Sequence, residues 1–201
     1  MEKLKKGLFV WSSSLILIFA IYRFIELFFY FDFKYILDYL PSIVYYGAII
    51  AFGICLAARK NSLPICISLL IISLIEGYWM ITSISYLIKS EQLLSIYGIV
   101  WAILYILKFI SPVFLTVISF ADLKNILGKV RKLWIVPAAL VFLYFVIYLA
   151  YYIIVYIGYD LSSLLLSSGI ELLYYIGFVM FALSFADLEK LKNVLDTTKG
   201  L

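Results

Sequence analysis

The chain has 201 residues, of which 66% are hydrophobic and only 14% charged, with a formal net charge of +4 and a mean hydropathy of +1.12. Soluble domains are closer to ~45–50% apolar and ~25% charged, so this chain lacks the polar residues needed to clothe a water-facing surface and reads as a polytopic membrane protein. Its apolar runs reach 20 residues or more without alternating polarity, as in residues 133–159, which argues against a β-barrel built from ~9–11-residue alternating strands.

Many Ile and Tyr residues would weaken helices in water. In lipid an open strand leaves its backbone groups unpaired, so helices are expected throughout. The predicted class is all-α: a single integral membrane domain, 1–201, with six transmembrane helices near residues 8–30, 41–58, 63–87, 94–119, 133–158 and 162–185.

The first span follows Met1-Glu2-Lys3-Leu4-Lys5-Lys6. The apolar run is longer than a signal peptide's and lacks a small-x-small cleavage site before Arg23, so an uncleaved signal anchor is expected. Arg23 and Glu26 lie in the outer part of this span, three residues apart on one face, and are expected to form an intrahelical ion pair. Arg23 also has the length to snorkel toward the headgroups.

Pro41 and Pro64 are expected at the starts of the second and third helices, where a missing N–H costs little. The second helix carries Gly47, Ala51 and Cys55, and also Gly53 and Ala57, at four-residue spacing. Small residues at this spacing allow close helix approach, inside the bundle or in a homo-oligomer. Cys55 and Cys66 flank the turn Arg59-Lys60-Asn61-Ser62 and read as free thiols, with palmitoylation as the alternative.

The third helix places Ser73, Glu76 and Ser83 on one face through Met80. In the fourth, Pro112 cannot donate the bond that the Lys108 carbonyl would accept. The fifth carries Tyr144, Tyr148, Tyr151, Tyr152, Tyr156 and Tyr159. Tyr156 and Tyr159 suit an aromatic belt; Tyr144 and Tyr148 lie too deep for one and need hydrogen-bond partners. The sixth repeats Ser163, Ser167, Glu171 and Tyr175 every four residues, with Tyr174 alongside.

Basic residues set the orientation. Lys3, Lys5, Lys6, Arg59, Lys60, Lys124, Lys129, Arg131, Lys132, Lys190, Lys192 and Lys199 fall on one side, and only Lys34 and Lys89 on the other. The excess predicts a multi-pass protein of the cell membrane with both termini cytoplasmic. It also accounts for the net charge, so no nucleic-acid partner is invoked.

Ser119-Phe120-Ala121-Asp122-Leu123 recurs as Ser184-Phe185-Ala186-Asp187-Leu188, and Ala57-Ala58-Arg59-Lys60-Asn61 is a fainter version. The echo suggests three helical hairpins in parallel orientation, 1–62, 63–127 and 128–196, as transporters often show; a shared role at helix exits is the alternative. Leu123, Ile126, Leu127 and Val130, and likewise Phe185, Leu188, Leu191 and Leu195, suit interfacial continuations of the helices.

Charge at bilayer depth costs ~2.5–3.5 kcal/mol per residue on insertion scales, so Glu76, Lys108 and Glu171, near the middles of their spans, should face the bundle interior. Lys108 can neutralise one glutamate. The other is expected to be protonated, paired with Arg23, or turned to a water-filled cavity. With Ser73, Ser167, Tyr174 and Tyr175 they form the candidate site, on helices three, four and six.

The expected role is transport of a small solute, proton or cation. The alternative is a non-catalytic membrane subunit whose charges serve packing or binding to a membrane-protein partner. No Walker loop, HExxH, GxSxG or CxxC is present and the chain has no histidine, so no enzyme, metal or cofactor is expected.

Overall fold

The computed structural model describes residues 2–29, 35–57, 62–123, 131–156 and 161–185. Among these the chain is all-helical, with six α-helices and no strands: α1 (Glu2–Phe29), α2 (Ile36–Leu56), α3 (Leu63–Lys89), α4 (Ile96–Leu123), α5 (Ile135–Tyr156) and α6 (Leu161–Phe185). Four stretches, Gly7–Phe29, Ile36–Leu56, Leu63–Lys89 and Ile96–Leu123, are long and apolar enough to cross a membrane. The apolar stretches described in α5 and α6, Ile135–Tyr151 and Gly169–Ser184, are shorter.

The surface is that of a membrane protein turned inside out relative to a soluble one. Ile67, Leu70, Leu74, Tyr78 and Ile81 recur at helical spacing on the exposed face of α3, and Trp11, Ile18, Ile21, Ile25 and Phe28 do so on α1. Polar side chains face inward instead: Ser12, Ser13, Ser68, Ser73, Glu76, Ser111, Thr116, Ser119 and Ser184 are all buried. Exposed apolar area on this scale is stable only against lipid or another protein.

Helix starts differ in one instructive place. Pro64 lies in the first turn of α3, where it withholds a donor that has no intrahelical partner. The expectation that Pro41 opens the second helix is corrected, because α2 begins at Ile36. Asp38 sits in the first turn, where a negative charge meets the positive end of the helix dipole. Pro41 therefore falls in the second turn, and the Leu37 carbonyl loses its helical donor. At the start of α4, Ser95 Oγ accepts from the Gly98 N–H at 3.0 Å, and a Cβ on Gly98 would lie 2.0 Å from the Gln92 carbonyl oxygen. Only glycine fits that close approach.

Each helix packs against its neighbours in sequence, and α6 closes against α1. Near the start of α1, Ser12 donates to the Gly177 carbonyl late in α6 at 2.8 Å, and Ser13 to the Gly53 carbonyl late in α2 at 2.7 Å. Further along α1, Phe19 meets Tyr46 of α2 and Arg23 meets Glu171 of α6, so α1 runs antiparallel to both. Pairs Cys66–Ser119, Ser73–Thr116 and Glu76–Lys108 give α3 and α4 the same relation.

Small residues allow these approaches, though not along the whole predicted seam. A Cβ on Gly53 would meet Leu17 at 2.8 Å and one on Gly177 would meet Ile16 at 2.5 Å. Gly47 has nothing within 4 Å of such a Cβ, and Ala51 is exposed. The Gly47–Ala51–Cys55 face thus makes no close helix contact at Gly47, whereas Gly53 and the unanticipated Gly177 do. In α2 the inward face is set by Tyr45, Ile49, Phe52 and Leu56, whose bulk turns Gly47 and Ala51 outward.

Both cysteines are free; Cys66 is buried against Ser119 and Cys55 is half-buried. Of the pentapeptide echo, Ser119 and Ser184 are both buried, while residues 186–188 lie outside the described residues. So do the predicted interfacial segments beyond Leu123 and Phe185, and Arg59 and Lys60. Tyr159 and the side chains of Tyr152 and Tyr156 fall outside the description as well.

Candidate functional site: a buried polar network

Glu76, on the inward face of α3, is the most deeply buried charge described, with 3% of its side chain exposed. Lys108 Nζ from α4 lies 3.4 Å from its Oε1 and 5.6 Å from the centre of the Trp79 ring, close enough for a cation–π contact. The Tyr45 hydroxyl from α2 donates to the same Glu76 oxygen, and Tyr174 Oη from α6 stands 3.1 Å from Tyr45 Oη. With the Tyr45 proton directed at Glu76, Tyr174 is left to donate to Tyr45. Four helices therefore converge on one carboxylate. Such burial is sustained only when a counter-charge and hydrogen bonds replace the lost water.

Glu171 does not join this cluster directly. Its Oε1 lies 3.3 Å from Arg23 Nη2, while Arg23 Nη1 holds Glu26 Oε2 at 2.7 Å. Arg23 is thus a shared cation bridging two helices, and α1 enters the site through it. The two groups of charge meet at a cavity of about 200 Å³ between α4, α5 and α6, lined by both Lys108 and Glu171 together with Trp101, Tyr105, Tyr144 and Tyr148.

Two other cavities share walls with it. On the inner side, a void of about 20 Å³ touches Glu76, Lys108, Ser111, Pro112, Tyr144 and Tyr175. That is room for about one water, which needs ≳ 10–15 Å³ by this measure, in a site with enough polar partners to hold it. Toward the loop between α3 and α4, a cavity of about 380 Å³ is lined by Thr82, Ser83, Tyr86 and Gln92, and by the same Trp101 and Tyr105. Trp101 Nε1 donates to Tyr151 Oη at 2.7 Å, which fixes this shared wall across α4 and α5.

The remaining sequence candidates have separate places. Ser73 bonds to the Leu69 carbonyl at 2.8 Å and stands 2.9 Å from Thr116 Oγ1, so it joins a hydroxyl pair below Glu76 rather than its ion pair. Thr116 in turn bonds to the Pro112 carbonyl at 2.7 Å. Ser83 lines the cavity toward the α3–α4 loop instead of the Glu76 cluster. Tyr175 packs against Tyr144 with ring centres 4.7 Å apart. The side chain of Ser167 lies outside the described residues.

Tyr45, Trp79, Trp101 and Tyr105 were not singled out from sequence, because an aromatic residue in an apolar run reads equally as core or lipid-facing. Tyr45 carried a faint signal in its helical register with Ile49 and Phe52. Tyr144 and Tyr148, too deep for an interfacial belt, proved to line the cavity. Among the described residues there is no group of three or more His, Cys, Asp or Glu that could hold a metal ion.

No protein-family model, curated protein or solved structure matches the chain.

Proposed function

We propose that the chain is a six-span protein of the cell membrane, with both termini cytoplasmic and the helices arranged as three hairpins, that carries a small polar solute through the interior between α3, α4, α5 and α6. The observation supporting it is the sharing of walls among three cavities, from the α3–α4 loop past Lys108 and Glu171 to Glu76. The antiparallel packing of neighbouring helices and the one-sided basic residues support the topology.

Size and charge favour a solute over a bare ion. A proton pathway needs no cavity of about 200 Å³. An inorganic cation would meet Lys108 at the entrance to the only fully buried acid of the set. Binding and release of a polar solute would instead exchange with the existing ion pairs. Differential contact of that kind is what lets a ligand shift a conformational equilibrium.

A non-catalytic membrane subunit is the second reading, favoured by one observation: Glu26, Glu76 and Glu171 each have a basic partner within 3.4 Å. A fully paired set is also what a purely packing role requires.

Uptake separates the two. Proteoliposomes holding the full chain are offered radiolabelled amino acids, polyamines and short carboxylic acids, and at least one is expected to accumulate above protein-free vesicles. Glu171→Gln should reduce that uptake at least tenfold in a protein that still folds. Uptake no greater than that of protein-free vesicles across all three classes contradicts the transport reading and favours the packing role.

A further inference from the structure

The cavity between α4, α5 and α6 combines features that rarely serve packing alone. It presents a lysine from α4 and a glutamate from α6, and most of its remaining wall is aromatic: Trp101, Tyr105, Tyr144 and Tyr148. We propose that this cavity is a binding site for a small zwitterion, a solute with a carboxylate and an ammonium group a few bonds apart. The proposal rests on the transport reading above and names the class of solute carried.

Charge selects the class. An organic cation alone would suit the aromatic walls but would face Lys108. An anion alone would suit Lys108 but would face Glu171, with Glu76 behind the lysine. A zwitterion meets both demands in one molecule: its carboxylate accepts from Lys108 Nζ, and its ammonium lies against Glu171 and the aromatic faces. Ring faces attract a cation by ~0.5–1 kcal/mol at exposed sites and by ~2 kcal/mol or more when water is excluded.

Both charged groups also have bonding capacity to offer. Charge-assisted N–H···O bonds are ordinarily ~2.7–2.9 Å, whereas Lys108 reaches Glu76 at 3.4 Å and Arg23 reaches Glu171 at 3.3 Å. Glu76 is the single ion-pair partner of Lys108 among the described residues, which leaves ammonium protons for a ligand. Glu171 is engaged through Oε1, and its second oxygen has no bonded partner among the described residues. The side chains of Lys108 and Glu171 are each 28% exposed, against 3% for Glu76, and both line this cavity, so a ligand in it can reach them.

The volume sets the size. About 200 Å³ lies below the ~300–1,000 Å³ of drug-sized pockets, matching a solute of the size of glycine or its trimethylated form.

Calorimetric titration of the detergent-purified full chain tests the assignment, with glycine and glycine betaine as zwitterions, choline as the cation alone and propionate as the anion alone. Saturable binding of at least one zwitterion is expected, with choline and propionate at least tenfold weaker. Glu171→Gln, nearly isosteric, should weaken the zwitterion at least tenfold. So should Leu104→Phe, which fills the cavity from a buried wall position and leaves every charge in place.

Choline or propionate binding as tightly as the zwitterions overturns the proposal, as does binding unchanged in Leu104→Phe. Absence of zwitterion binding in a protein that accumulates another solute class refutes the zwitterion and leaves transport standing. Zwitterion binding without uptake leaves the site standing and refutes transport.

Discussion

Lys108→Met is expected to destabilise the protein by about 3–5 kcal/mol. The reason is the neighbour it abandons. Glu76 is 3% exposed, and its ionic partner within 4 Å is Lys108. Without it, the carboxylate must stay charged with at most a single water in place of its counter-ion or take up a proton, and either state is costlier than the pair. Methionine has nearly the length of lysine, so lost packing contributes little. The double variant Glu76→Gln/Lys108→Met should regain most of the loss, because a carboxamide still accepts from Tyr45 and carries no charge. Denaturant unfolding in detergent gives all four stabilities of the cycle. A single-variant loss below about 1 kcal/mol, or a double variant no better than the single, contradicts the pairing.

Arg23→Met carries the second large effect. Its guanidinium holds Glu26 on its own helix at 2.7 Å and Glu171 on α6 at 3.3 Å. An exposed pair three or four residues apart on a helix contributes only ~0.2–0.5 kcal/mol. The interhelical bond to Glu171 belongs with hydrogen bonds to charged groups, worth ~1.5–3 kcal/mol, and the substitution removes it and leaves Glu171 without its bonded cation. A loss of about 1.5–3 kcal/mol is therefore expected, partly recovered by Glu171→Gln in the same chain. A loss within ~0.5 kcal/mol, with no recovery, would mean that Arg23 serves Glu26 alone or reaches past Glu171 to the headgroups.

These two variants probe the feature that sequence could not supply. Glu76 and Lys108 stood out because a charge inside an apolar run has an evident cost, whatever the fold. For Glu171 the sequence offered three outcomes, a proton, Arg23 or a water-filled cavity, and could not choose among them, since Arg23 lies 148 positions earlier and meets it only because α6 closes against α1. Arg23 and Glu26 looked self-sufficient at three-residue spacing, which obscured the second fork of the guanidinium.

Aromatic residues were legible only by depth. Tyr144 and Tyr148 were anomalous for an interfacial belt, so their inward position had a sequence-level warning. Tyr45 and Trp101 had none, because apolar bulk and a polar tip suit core, belt and site alike. Helix class followed from composition and the demand for paired backbone groups in lipid. The start of α2 was misplaced because proline at a helix start is a strong local preference, overridden here by the apolar residues and Asp38 that precede Pro41.

The proposed transport route requires that the Lys108–Glu171 cavity open to water on the side of the α3–α4 loop, the outer side in the proposed topology. It is tested most directly by thiol labelling in intact cells, in a Cys55→Ala/Cys66→Ala background. Leu104→Cys lies on the buried cavity wall, and Ile103→Cys, one residue earlier, is 43% exposed on the outward face of the same helix. Membrane-impermeant methanethiosulfonates, one cationic and one anionic, are added outside in parallel, and at least one is predicted to modify Leu104→Cys while both spare Ile103→Cys, which faces lipid. A folded Leu104→Cys protein that resists both reagents, or reacts no faster than Ile103→Cys, would contradict a water-accessible site and leave the five intramembrane charges as internal packing.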